Sequence, residues 1–192
     1  MPTPDADASK EQANQLNCSF MYTQFLKEII LTINFDDKHI KDFIVYCREK
    51  FVDNDVELNN IKQLERKYRN KTPIWWYTYE CFLYPMVNRA LRTMDMDIAI
   101  KMGFFIGDLH RHIQELHAVQ FGDYHSVQKL TLYRGQGLSK TDFEQMMTTK
   151  DGLISFNNFL STSKHPEVSL GFARRAITNP DLMRVLFVMT VD

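Results

Sequence analysis

The chain has little cysteine, no excess of charge of either sign and no long apolar run. Each shortage excludes something. Its 192 residues hold three cysteines, Cys18, Cys47 and Cys81, an odd number with no C-x-x-C spacing. This excludes a disulfide framework and reads as reduced thiols. Lys and Arg total 23 against 24 Asp and Glu, a net charge of −1, which argues against a nucleic-acid binder that works through a basic field. No apolar run approaches the ~18–20 residues of a membrane span. The opening "MPTPDADASKEQANQ" is polar and acidic, unlike a secretory signal or a transit peptide. The expected location is intracellular, cytoplasmic and away from membranes. No internal repeat is visible.

What is present is enough for a core. Hydrophobic residues make up 44% and aromatics 12%, within the globular range. Residues 1–17 read as a disordered lead. In "DDKHIKDFIVYCREKF" the apolar positions Ile40, Phe43, Ile44, Cys47 and Phe51 recur at helical spacing, with Asp36 or Asp37 as cap. "FMYTQFLKEIILTI" and the more polar "ELNNIKQLERKYRN" are further helices. "TPIWWYTYECFLYPMVNRALRTMD" starts with Pro73, suited to a helix start, and carries Pro85, which predicts a kink or break. Met102, Phe105, Ile106, Leu109, Ile113 and Leu116 form one helical stripe. Trp75 and Trp76 read as packing residues.

The texture changes near Gly122. "QKLTLYRGQG" alternates as a strand and ends at glycine. "TDFEQMMTTK" reads as a short helix capped by Ser139 or Thr141, and "GLISFNNFLSTS" as one or two strands. "HPEVSLGFARRAI" reads as a helix with Pro166 in its first turn, and "TNPD" as a turn. "MRVLFVMTV" reads as a strand buried on both faces. The fold class is α+β: a helical region at 18–72, then a domain at 73–192 made of a helical lobe (73–122) and an α+β part (123–192). Because a domain rarely ends on its central strand, the domain is expected to be incomplete at the C-terminus.

Two stretches carry candidate chemistry. In "LYRGQG", alternation puts Leu130, Leu132 and Arg134 on one strand face. A half-buried guanidinium there needs a carboxylate or phosphate with matching fork geometry. Gly135 and Gly137 let backbone amides approach a ligand. The alternative is a salt bridge to a surface acid followed by a plain turn. In "FLSTS", Phe159, Ser161 and Ser163 share a face. Ser163 can cap the following helix, which leaves Ser161 to hold a polar ligand or orient a carboxylate.

The order strand–Arg-Gly, Ser-Thr-Ser, helix with Phe172, apolar strand resembles the mono-ADP-ribosyltransferases of the Arg–Ser–Glu group over Leu130–Val191. The resemblance implies an ADP-ribosyltransferase-like split β-sheet core and NAD as the ADP-ribose donor. It implies that Arg134 holds the NAD phosphates, the Gly135 backbone the nicotinamide amide, and Ser161 the nicotinamide ribose and the catalytic glutamate, with Thr162 and Ser163 shaping that strand. Phe172 either stacks on nicotinamide or, with Val168 and Ala176 at i, i+4 spacing, packs on the sheet. The acceptor is expected to be a protein with an exposed arginine, and tetratricopeptide-type repeats are possible in a longer parent chain. The group's Glu-x-Glu should follow "MRVLFVMTVD"; no Glu lies after Glu167. Two rivals stay open: an NAD-binding pseudo-transferase, and a helical interaction module. His110, His112, His117 and Asp108 have no zinc-site spacing, and no metal is expected.

Overall fold

The computed structural model describes residues 18–121, 129–148, 154, 156–175 and 181–191. The expected disordered lead and most of the "TNPD" turn lie outside these residues. The chain divides into two compact units, with Cys18–Asp123 in one and Tyr124–Asp192 in the other. It is α+β in the coarse sense, a set of helices and a two-stranded antiparallel sheet.

The helical unit contains α1 (Cys18–Thr32), α2 (Asp37–Lys50), α3 (Asp55–Lys67), a 3-10 turn (Tyr68–Asn70), α4 (Pro73–Thr78), α5 (Leu83–Thr93), α6 (Met96–Lys101) and α7 (Gly103–Phe121). Its starts follow local chemistry. Asp36 accepts from the Lys38 and His39 backbone N–H groups at 3.0 and 3.3 Å, and His39 reaches back to the Asp36 N–H, a capping box. Asn54 caps α3, Thr72 caps α4 ahead of Pro73, and Asp95 caps α6. The α2 stripe buries Ile40, Phe43, Ile44 and Cys47 as predicted. The chain breaks before Pro85, which lands in the first turn of α5, where its missing N–H leaves no bond unmade. Glu57 fills the gap: its Oε2 accepts from the Phe82 backbone N–H at 3.3 Å and from Asn60 Nδ2 at 2.9 Å.

Two expectations change here. The boundary expected at residue 72 falls inside this unit, because α4 and α7 pack together while α1 packs on α7 and α2 on α6. Trp76 joins both sides of that boundary: it is 1% exposed and its Nε1–H donates to the Tyr68 carbonyl at 3.2 Å. The stripe expected from Met102 to Leu116 is only half buried. Met102, Phe105, Ile106 and Leu109 are interior, whereas Ile113 and Leu116 are exposed as α7 runs on past the helices that cover its first half.

The α+β unit contains β1 (Leu130–Ser139), α8 (Lys140–Thr148), α9 (Pro166–Arg175) and β2 (Leu182–Val191). The strands pair antiparallel from Leu130 opposite Val191 to Ser139 opposite Leu182. Ser139 caps α8, its Oγ accepting from the Asp142 N–H at 3.0 Å. Three corrections follow. Strand β1 does not end at glycine; it runs through Gly135 and Gly137, because β2 is long enough to pair with all of it. Among the described part of "GLISFNNFLSTS" there is no named strand, only a single bridge between Ser163 and Tyr133. Strand β2 is not buried on both faces: Val188 is 62% exposed, because α9 packs against the strands and no third strand is present among the described residues.

Candidate functional site

Arg134 lies in the middle of β1, not at its end, and is 8% exposed. Burying a guanidinium is costly unless its N–H groups are satisfied and its charge is met. Its N–H groups find two partners. Nε–H donates to Gln136 Oε1 at 2.9 Å, and Nη1–H donates to the Ser161 backbone carbonyl at 2.9 Å. Both acceptors are neutral. No ion pair involves Arg134 among the described residues, and both Nη2 N–H groups have no partner there. The predicted salt bridge to a surface acid is therefore not what holds this side chain.

The edge of β1 beside Arg134 is set by the pairing of Tyr133. Its N–H donates to the Ser163 carbonyl at 2.8 Å, and its carbonyl accepts from the Ser163 N–H at 2.9 Å. Tyr133 thus turns its backbone away from β2. In an antiparallel ladder this alternates, so Arg134 pairs toward Phe187 of β2 while Gly135 again faces the outer edge. The isolated bridge at Ser163 does not continue, and no strand pairs with that edge at Gly135 among the described residues. The Gly135 N–H and C=O are directed at this open edge.

The absence of a side chain at Gly135 serves a different neighbour. A Cβ built there would lie 1.7 Å from the Ser169 carbonyl oxygen and 2.9 Å from the Ala173 nitrogen. Helix α9 presses its backbone on the strand at that point, and Ser169 Oγ donates to the Tyr133 carbonyl at 2.9 Å. The packing face of α9 is Ser169 and Ala173, 3% and 6% exposed. Only small residues allow that approach. The expected face of Val168 and Phe172 is displaced by one position: both are about half exposed, at 48% and 50%, and Ala176 lies outside the described residues.

Ser161 and Thr162 are exposed, with Ser161 tied to Arg134 through its carbonyl. Ser163 Oγ accepts from the His165 N–H at 3.0 Å; that turn closes before α9 opens at Pro166, so the predicted capping of the helix by Ser163 does not form. The fold therefore joins Arg134, Ser161 and Ser163 around one strand, sets Gly135 against α9, and leaves the Phe172 ring half exposed on that helix. Gln136, Ser169 and Ala173 complete this arrangement and were missed as site residues. Gln136 is visible in retrospect, two residues from Arg134 on the same strand face. Ser169 and Ala173 carry an i, i+4 signal of small residues on a helix.

In the helical unit the histidines do not converge. Asp108 instead accepts from Tyr68 Oη–H and from Arg111, each at 2.7 Å. Burial, with that hydrogen bond, pushes the Tyr68 phenol far above its ordinary range. No group of three metal-binding side chains occurs among the described residues, and no helix there is long and apolar enough to cross a membrane. Compared with protein-family models, curated proteins and solved structures, the chain gives no match.

Proposed function

We propose that the α+β unit binds NAD and that the protein is an NAD-dependent mono-ADP-ribosyltransferase that modifies arginine side chains of an acceptor protein. One observation carries this reading: a buried arginine whose identified partners are all neutral, hydrogen-bonded to the serine segment beside an open strand edge. A guanidinium in that state favours an anion, and a pyrophosphate offers oxygens in the geometry its fork accepts. The ADP-ribosyltransferase-like core resembled by the sequence uses its residues in this order, and the roles follow. Arg134 holds the donor phosphates. The Gly135 N–H and C=O, turned to the edge, suit a carboxamide, which both accepts and donates. Ser161 contacts the nicotinamide ribose, Thr162 and Ser163 shape the segment, and the Phe172 ring offers a stacking surface.

In the reaction so proposed, the bond between C1′ of the ribose and nicotinamide breaks, and neutral nicotinamide leaves. An acceptor guanidinium nitrogen then bonds to C1′ and gives up a proton. The intervening oxocarbenium-like centre calls for a carboxylate close by. No carboxylate bonds Arg134 or Ser161 among the described residues. A second reading is NAD binding without transfer.

Calorimetric titration of NAD into the 192-residue chain tests both. Binding is expected, and Arg134→Ala should weaken it by roughly tenfold or more, since a charged hydrogen bond is worth about 1.5–3 kcal/mol. Unchanged affinity in that variant would sink the site. Incubation with labelled NAD and a small guanidine acceptor separates the readings: a labelled acceptor supports transfer, and its absence beside intact NAD binding supports the pseudo-transferase.

A further inference from the structure

We propose that Gln136 is a positioning residue that fixes the Arg134 guanidinium without cancelling its charge, leaving that charge for an anionic ligand. The proposal rests on reading Arg134 as the clamp for the donor phosphates. Arg134 and Gln136 are two apart on one strand, so their side chains leave the same face. The Gln136 amide oxygen meets Nε–H at 2.9 Å, and the Ser161 carbonyl meets Nη1–H at 2.9 Å. Two fixed acceptors restrict the guanidinium plane and leave Nη2, which lies between the two bonded nitrogens, with no partner among the described residues. Fixing a long side chain in advance removes an ordering cost that binding would otherwise carry.

The residue type is the informative part. Glutamate has nearly the same shape as glutamine and would form a charged pair with a guanidinium that is 8% exposed. For the fold alone that pair would hold the arginine more firmly. It would also occupy the guanidinium's charge before any ligand arrived. An amide at position 136 supplies the same hydrogen bond with no countercharge. That the buried cation has no countercharge among the described residues is, on this proposal, a property of the site.

The experiment uses the 192-residue chain as wild type, Gln136→Glu and Gln136→Leu, each titrated with NAD and with inorganic pyrophosphate at two salt concentrations, with thermal melts alongside. Gln136→Glu is expected to lose about tenfold or more in NAD affinity and to lose most of the salt dependence of binding, while melting no lower than wild type. A purely structural glutamine would not separate affinity from stability in this way. Gln136→Leu is expected to weaken binding by a few-fold with its salt dependence retained, because the charge stays and its placement loosens. If Gln136→Glu binds NAD as tightly as wild type, the proposal is overturned and the NAD reading stands. If Gln136→Glu does not fold, unchanged NAD affinity in Gln136→Leu overturns it. If wild type takes pyrophosphate but not NAD, the nucleotide reading fails, and the same comparison made with pyrophosphate decides the proposal. If wild type binds neither, both fall.

Discussion

Replacing Gly135 by alanine tests the packing on which the candidate site depends. The added methyl would sit 1.7 Å from the Ser169 carbonyl oxygen, 2.7 Å from its carbon and 2.9 Å from the Ala173 nitrogen. All three are backbone atoms of a helix, so no rotamer change relieves the overlap; α9 must move off the strand. Overpacking of this kind costs about 1–3 kcal/mol. Moving the helix also stretches the bond from Ser169 Oγ–H to the Tyr133 carbonyl, now 2.9 Å, for about 1 kcal/mol more. Losing a glycine from the unfolded chain returns about 0.5–1 kcal/mol. The net loss is about 1–3.5 kcal/mol, which in a unit of this size lowers the melting midpoint by roughly 5–25 °C. The two units can be watched separately. Both tryptophans, Trp75 and Trp76, are in α4 of the helical unit. Tryptophan fluorescence should therefore melt as in wild type, while far-UV circular dichroism gains an earlier transition and amides of β1 and α9 exchange faster. Wild-type exchange rates in β1 and α9 of Gly135→Ala would refute the close approach, and with it the reason given for glycine at this position.

Thr72→Ala removes the cap of α4, where Thr72 Oγ1 accepts from the Trp75 N–H at 3.2 Å; the cost should be about 1 kcal/mol, read as a fluorescence midpoint roughly 3–5 °C lower. Burial pushes the Cys47 thiol up to about 12 and the Cys81 thiol to about 11. Both therefore stay protonated at pH 8, and in a Cys18→Ser variant a thiol reagent should reach them only after denaturation. Because the unfolded chain releases these protons first, stability of the helical unit should fall as pH rises past the ordinary thiol value of 9.0; a midpoint flat from pH 8 to 10.5 would contradict this.

Much of the helical unit was legible because its signals are local. A cap at Asp36, a proline at Pro73 and the spacing of Ile40, Phe43, Ile44 and Cys47 each act within a few residues, and each element formed where they indicated. The stripe on α7 was legible only in part. Periodicity says which side chains share a face, but not how far along the helix a partner covers that face, and the cover stops short of Ile113. In the α+β unit the strands β1 and β2 were legible and their surroundings were not. "MRVLFVMTV" is apolar enough for burial on two sides, yet its pairing is with β1 and much of it faces solvent. On α9 the larger residues Val168 and Phe172 drew the packing face toward themselves, whereas Ser169 and Ala173 make it, because the helix comes closer to Gly135 than any large side chain allows.

By itself the sequence determined the existence and type of most elements, the helix starts, the odd cysteines and the order in which an Arg-Gly strand and a Ser-Thr-Ser segment follow one another. Those depend on residue chemistry and short-range spacing. Only the tertiary structure decided that Arg134 is buried with neutral partners, that residues 18–72 share a core with 73–121, and that Gly135 meets a helix backbone. Each of these turns on which distant segment arrives next to a residue: the Ser161 carbonyl lies 27 positions from Arg134 in the chain and 2.9 Å from it in the fold.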